Sequence, residues 1–334
     1  MSVTALPMPR WRRVDWTPHA LLPALLLVTL PLMDFSTWLT LSIAGLAMGA
    51  MLFLMASGLT LIFGLMDVLN FAHGAFITLG AYVAVSVLGP LSGWVAADSW
   101  VLNLAALAAA LIAAMLVSGA LGYVFERIII RRVYGAPLRQ ILITMGGLIV
   151  AEQLMIVVWG ANAIPLPKPV SFGGNVHLGG AAIEKYRLIA LVLGLAVYGG
   201  LHLMLNRTRM GLLVRAGVEN REMVESLGYR ITRLFVAVFV LGTALAGIGG
   251  VMWALFQESV NNQIGSSVTI LVFIILIIGG MGSVGGSFVA AMLVGLTTNY
   301  VGFLAPKIGL GSNILLMVLV LLWRPRGLFP VAKS

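Results

Sequence analysis

Asp67, Asn70 and His73 recur at i, i+3 spacing inside an otherwise apolar stretch, bracketed by Gly64 and Gly74. In a helix that spacing places a carboxylate, an amide and an imidazole on one face. Such a set can relay a proton, hydrogen-bond a polar solute, or cap the free amides where two helices meet. Two readings stay open: a capped turn between two spans, or a broken helix beside a solute path with Asn70 and His73 in contact with the cargo. Thr144 and Glu152 lie two turns apart on one face of a second apolar stretch, with Gln153 beside them. These three are further candidates to line a polar pathway, and helix-to-helix hydrogen bonding is the plain alternative. Glu126, next to Arg127 at a helix end, reads as a partner for nearby arginines.

Other chemistry finds little footing. The chain has no cysteine, which removes disulfides, thiolate metal sites and thiol catalysis. Its four histidines, at positions 19, 73, 177 and 202, show no ligand spacing, so no metal is expected. There is no Gly-x-x-x-x-Gly-Lys-Ser/Thr loop to cradle phosphates, no His-Glu-x-x-His zinc motif and no Gly-x-Ser-x-Gly elbow, and Ser283 has no evident base. The expectation is a protein that is not an enzyme and holds no cofactor of its own.

The elements that position these groups are transmembrane helices. Of 334 residues 60% are hydrophobic and only 9% charged, against roughly 25% charged in soluble domains. A hydrocarbon core about 30 Å thick needs roughly 20 apolar residues per helix. Ten such runs begin near Trp16, Trp38, Phe71, Val101, Gln140, Leu188, Arg233, Val268, Gly285 and Gly311. The first is short and holds Pro23 and Pro31, so the range is eight to ten. The expected fold is all-α, a polytopic helical bundle forming one membrane domain over residues 1–334. The 39 glycines suit close helix packing in lipid.

The net charge of +9 follows a membrane rule rather than a nucleic-acid one. With both termini inside, sixteen of the 20 basic residues fall on the inner segments, from Arg10, Arg12 and Arg13 through Arg127, Arg131, Arg132, Arg139, Arg207, Arg209, Arg215, Arg221, Arg230 and Arg233 to Arg324, Arg326 and Lys333; only Lys168, Lys185, Arg187 and Lys307 stay outside. The outer loop from Gly160 to Tyr186, with three prolines and Gly173-Gly174, reads as an irregular cap. The inner segment from Val214 to Leu227 pairs Arg215 with Glu219 and Arg221 with Glu225 at i, i+4. It sets Met223, Val224 and Leu227 as an apolar stripe and stops at Gly228: one short amphipathic helix, either on the membrane surface or docked to a partner. Gly279 to Gly286, including Gly280, Gly282, Gly285 and Gly286, reads as a tight packing turn or as backbone exposed to a cavity.

Residues 58–76, GLTLIFGLMDVLNFAHGAF, with Leu79-Gly80-Ala81-Tyr82, resemble the signature of branched-chain amino-acid ABC importer permeases of the LivH type. Three further segments agree in order. Arg215 to Gly228, including Asn220, looks like the family's ATPase-coupling loop, Gly279 to Gly286 like its glycine-rich turn, and Trp323 to Phe329 like its ending. The resemblance implies a bacterial inner-membrane permease paired with a LivM-like second permease. It further implies two cytoplasmic ATPase subunits that use ATP and Mg, and a periplasmic solute-binding protein that delivers the cargo. No nucleic acid is implied. Between Gln257 and Leu271 the chain departs from the family's pattern with Asn261, Asn262 and Gly265, which loosens the cargo assignment toward urea, amides or other small organic solutes. The rival reading is an ion-coupled secondary transporter using Asp67, His73 and Glu152 as a proton relay.

Overall fold

The computed structural model describes residues 17–219 and 221–330. Arg10, Arg12, Arg13, Trp16, Asn220 and Lys333 lie outside them, as do the side chains of Arg215, Glu219 and Arg221. Helix α1 (Thr17–Thr29) and the 3-10 turn Leu30–Leu32 precede α2 (Phe35–Met66), whose first turn is capped by the Asp34 carboxylate accepting from Thr37 N–H at 2.9 Å. There follow α3 (His73–Leu88), α4 (Ser92–Ala96), α5 (Trp100–Ile128), α6 (Pro137–Trp159), α7 (Lys185–Arg207), α8 (Arg209–Glu219) and α9 (Arg221–Ser226). The bundle closes with α10 (Ile231–Gln257), α11 (Ile264–Gly279), α12 (Val284–Leu304) and α13 (Gly309–Trp323).

Among the described residues six helical segments are long and apolar enough to cross a membrane: Phe35–Met66, Trp100–Val133, Pro137–Trp159, Lys185–Arg207, Ile231–Gln257 and Val284–Leu304. Shorter apolar helices cover Ala20–Leu32, His73–Leu88, Ile264–Gly279 and Gly311–Trp323. The chain is therefore a helical, multi-pass membrane protein. Each apolar run read from the sequence corresponds to one of these helices.

Helix α2 sits at the centre, walled by α10, α12, α7 and α11. Its apolar residues face every direction, as a helix surrounded by others requires. Small residues let the backbones touch. Gly58 and Gly242 each approach the other's carbonyl, Gly49 lies against Ala291, and Gly45 against Leu296. Contacts Met55 to Gly249 and Gly58 to Gly242 show that α2 and α10 run in opposite directions.

These two helices begin a pair of inverted units. Each ends in a left-handed non-glycine residue, Asp67 and Glu258, both at φ 55°, and no other non-glycine residue among those described has positive φ. Each is followed by a six-residue connection and a helix of 16 residues, α3 or α11, whose second residue is glycine. Gly74 meets Gly265 and Thr269, and Thr78 meets Gly265, so α3 and α11 cross antiparallel at their N-terminal turns. A β-carbon at Gly265 would lie 1.9 Å from the Gly74 carbonyl oxygen, so the crossing tolerates no side chain there.

The outer loop is more ordered than an irregular cap. Residues Asn175–Leu178 (β2) and Ala181–Glu184 (β3) form a hairpin in register Asn175 to Glu184. Gly179 and Gly180, at φ +56° and +84°, supply the two left-handed positions that a two-residue hairpin loop demands. A second ladder pairs Ile164–Pro165 (β1) antiparallel with Ser259–Val260 (β4). The all-α expectation is corrected only by these short strands. The inner segment is helical on both sides of Asn220, as α8 up to Glu219 and as α9 from Arg221. Of the stripe Met223, Val224 and Leu227, only Val224 is buried, because the helix presents one side to the bundle. Gly228, at φ +83°, ends the segment as its sequence suggests.

Candidate functional site

The connection between α2 and α3 turns back into the bundle. His73, the first residue of α3, is buried, and its Nε2–H donates to the Met55 carbonyl at 2.8 Å. Met55 stands about three turns before α2 ends, so α3 starts inside the protein rather than at its edge. Asn70 is fully buried, and its amide nitrogen and oxygen have no hydrogen-bond partner among the protein atoms; neither has His73 Nδ1. Buried amides and imidazoles are normally paired, so an amide without a partner and an imidazole with one unpaired nitrogen, three residues apart, mark this junction as the place where a polar guest or a rearrangement would be favoured. The side chain of Asn70 therefore does not satisfy an amide of the turn, which takes Asn70 out of the capping reading.

Helix α6 carries the second polar set, and two of its three members act together. Thr144 Oγ1 accepts from the Phe71 amide at 3.2 Å and donates to the Gln140 carbonyl at 2.7 Å, which ties α6 to the α2–α3 connection. Glu152, two turns on along the same face, accepts the Ser266 hydroxyl from the first turn of α11. One stripe of α6 thus holds both inverted units. Gln153 is exposed and points away from this stripe, since the next helical position is rotated by about 100°. Ser266, the partner that makes Glu152 a tether, gave no signal in sequence because it comes from 114 residues away.

Glu126 departs from its expected pairing with arginines. It is fully buried and accepts the Tyr134 hydroxyl. On the opposite side of the bundle, Lys168 Nζ donates to Glu184 at 2.5 Å and to Glu258 at 2.9 Å, and Arg187 reaches Glu184 at 3.3 Å. This cluster locks the outer hairpin to the left-handed residue that ends α10. Burial opposes the charge on Glu184, but hydrogen bonding and charge from Lys168 and Arg187 outweigh it and hold its carboxyl below the usual range. Lys168 is likewise held above its usual range against its own burial.

The four sequence segments singled out above meet at one end of the bundle. Gly64 lies against Gly282 in the glycine-rich turn. In that turn Gly280 and Gly282 take φ +96° and +87°, while Gly286 packs on the Gly279 carbonyl. The turn is packed, so the reading as backbone exposed to a cavity fails for it; Gly285 alone has no close neighbour, Tyr198 standing 3.9 Å off. The C-terminal stretch pairs with the same turn through Leu328 N–H to Ile278 O at 2.8 Å and Phe329 N–H to Gly279 O at 3.1 Å. Gly217 of α8 sits against Leu65 near the end of α2. Arg127, Arg131, Arg132 and Arg139 lie at this end with the α8–α9 segment, whereas Lys168, Lys185, Arg187 and Lys307 lie at the other.

Comparison with known proteins matches the sequence to a family. The chain is 29% identical over 299 residues to the high-affinity branched-chain amino acid transport system permease protein BraD of Pseudomonas aeruginosa, covering 85% of this chain and 93% of that one. It is 27% identical over 291 residues to the LivH permease protein of Salmonella typhimurium, covering 85% and 92%. The LivM permease protein of the same organism matches at 26% over 309 residues, 83% of this chain and 67% of that one. No solved structure matches. The family model described as branched-chain amino acid transport system / permease component matches residues 41–323, and the chain belongs to that family.

Proposed function

We propose that the chain is the membrane-spanning permease subunit of an ATP-driven importer of branched-chain or closely related amino acids. Its ten apolar helices serve as ten spans of one membrane domain in a bacterial inner membrane, with both termini and the arginine-rich end in the cytoplasm. It works beside a LivM-like second permease, two cytoplasmic ATPases that use ATP and Mg, and a periplasmic binding protein that delivers the solute. The observation that carries the reading is the meeting of α8, the end of α2, the glycine-rich turn and the C-terminal stretch at that one end. Force applied to α8–α9 by ATPase closure reaches α2 through Leu65 and Gly217, and from α2 the inverted units that cross at Gly74 and Gly265. The unpaired amide of Asn70 and the free Nδ1 of His73, beside that crossing, are the groups that meet the solute when the units shift, and Thr144 and Glu152 hold the units in register.

The proton-relay alternative draws less support, because His73 bonds the Met55 carbonyl and Glu152 bonds Ser266 rather than one another. The departure at Asn261, Asn262 and Gly265 keeps urea and short amides as the second choice of cargo. The test is purification of the tagged protein in mild detergent, identification of co-purifying subunits, and solute uptake by the reconstituted assembly. A second permease and two ATPases with ATP-dependent leucine uptake are expected. A lone chain whose uptake follows an ion gradient would sink the proposal.

A further inference from the structure

Between α3, α5 and α6 lies a cleft of about 460 Å³ that no part of the transport reading uses. Every residue lining it is apolar, from Ile128 and Ile129 at one end to Leu79 and Trp159 at the other. An amino acid or any other zwitterion would lose its hydration there with nothing in exchange. The cleft opens sideways: Val124, Val150 and Leu154 on its rim are all about half exposed. Helix α6 touches the bundle mainly through Thr144, Glu152 and the bond from Trp159 Nε1 to Ser86 at 3.0 Å, which leaves this space beneath it. Along α6 the lining runs from Gly147 to Trp159, about 18 Å at 1.5 Å per residue, which exceeds half of a hydrocarbon core about 30 Å thick.

The Ile128–Ile129 end carries charge. Arg127, Arg131 and Arg132 leave α5, and Arg139 lies in the first turn of α6, all four exposed. Among the described residues no ion pair engages any of them. The carboxylate in this turn, Glu126, is buried and turned to Tyr134. A hydrocarbon-lined slot one leaflet long, with unneutralised guanidinium groups at its mouth, is complementary to one molecule class of the membrane: a chain of methylenes ending in an anionic headgroup.

We propose that this cleft binds one anionic phospholipid of the surrounding membrane, its phosphate at Arg131 and Arg132 and one acyl chain under α6. The lipid then fills the space that separates α6 from α5 and supports the stripe through which Thr144 and Glu152 hold the two inverted units.

The test is lipid extraction and mass spectrometry on the intact assembly purified in mild detergent with extended washing. Wild type is compared with Arg131→Ala/Arg132→Ala, with Ala151→Trp, which fills the cleft, and with Arg207→Ala/Arg209→Ala as a control. Wild type and control are expected to keep about one phosphatidylglycerol or cardiolipin per chain while phosphatidylethanolamine washes away, and the two site variants to keep at least fivefold less. Unchanged anionic lipid in Arg131→Ala/Arg132→Ala, whose side chains are exposed and whose loss leaves the bundle intact, overturns the proposal even if Ala151→Trp fails to assemble. Retention of phosphatidylethanolamine equal to that of anionic lipid also overturns it. So does efficient cross-linking of Leu154→Cys, in a chain otherwise free of cysteine, to the second permease, which would make the cleft a protein interface.

Discussion

Gly64 on α2 and Gly282 in the α11–α12 turn stand so close that a β-carbon on either would lie 2.7 to 2.8 Å from the other's Cα. The contact joins the first and third sequence segments directly, backbone on backbone. Gly282 is also held at φ +87°, where a side chain adds strain of about 1 to 3 kcal/mol. Gly282→Ala and Gly64→Val are expected to lower the thermal midpoint of the detergent-solubilised protein by several degrees. Gly199→Ala, with open space around it, should leave it unchanged; equal effects at all three positions would refute the packing argument.

Asn70 gives a cleaner separation of stability from function. Its amide makes no hydrogen bond to protein, and removing an unsatisfied buried polar group recovers about 1 to 3 kcal/mol. Asn70→Leu is therefore expected to keep or raise thermal stability while uptake falls at least tenfold. A destabilised variant with normal uptake would show that Asn70 is structural.

The α6 tether predicts coupling between distant residues. Glu152→Gln and Ser266→Ala should each cost about 0.5 to 2 kcal/mol, in the range of side-chain hydrogen bonds within membranes, and the double variant should cost no more than the larger single one. Thermal midpoints of the four proteins form the cycle. Strict additivity would show that the bond contributes nothing.

The Lys168–Glu184–Glu258 cluster makes the outer hairpin pH-sensitive. Glu184 titrates below its ordinary 4.5 in the folded protein, so its contribution is present above that value and is lost as pH falls through the lower folded one. Lys168 titrates above 10.5, so its contribution survives until pH rises past the folded value. At these partly exposed positions the effect is about 1 kcal/mol or less. Protection of amides 175–184 from hydrogen exchange, measured against the intrinsic rate at each pH, is expected to hold at neutral pH and to fall as pH drops below about 4.5. In Glu184→Gln this protection should be lower at neutral pH and lose its acid dependence.

Charge reversal at Glu219 and Arg221 together is expected to leave insertion and ATP hydrolysis in place while uptake falls at least tenfold. Normal coupled uptake would remove α8–α9 from the coupling path.

Much of the architecture was legible because hydrophobicity is a local property. The helices α2, α5, α6, α7, α10 and α12 appear as long apolar runs, and Arg127, Arg131, Arg132 and Arg139 cluster in one connection, whatever the helices do in space. The stripe of Thr144 and Glu152 follows from the helical period alone. Gln153 was grouped with them by adjacency, and a rotation of about 100° per residue moves it off the face. The outer hairpin was missed although Gly179-Gly180 between two short polar-apolar stretches announces it; the nearby prolines and Gly173-Gly174 masked that signal.

The sequence by itself determined that the chain is a helical membrane protein, where its long apolar helices lie, and which short segments resemble a permease family, since these depend on side-chain polarity and order along the chain. Only the tertiary structure decided what those segments do to one another. It brought Gly64 to Gly282, Gly74 to Gly265 and Glu152 to Ser266, and it buried Asn70 without a partner. In lipid the hydrophobic effect places helices in the bilayer but does not pair them; pairing rests on backbone close approach and on single hydrogen bonds between residues far apart in sequence.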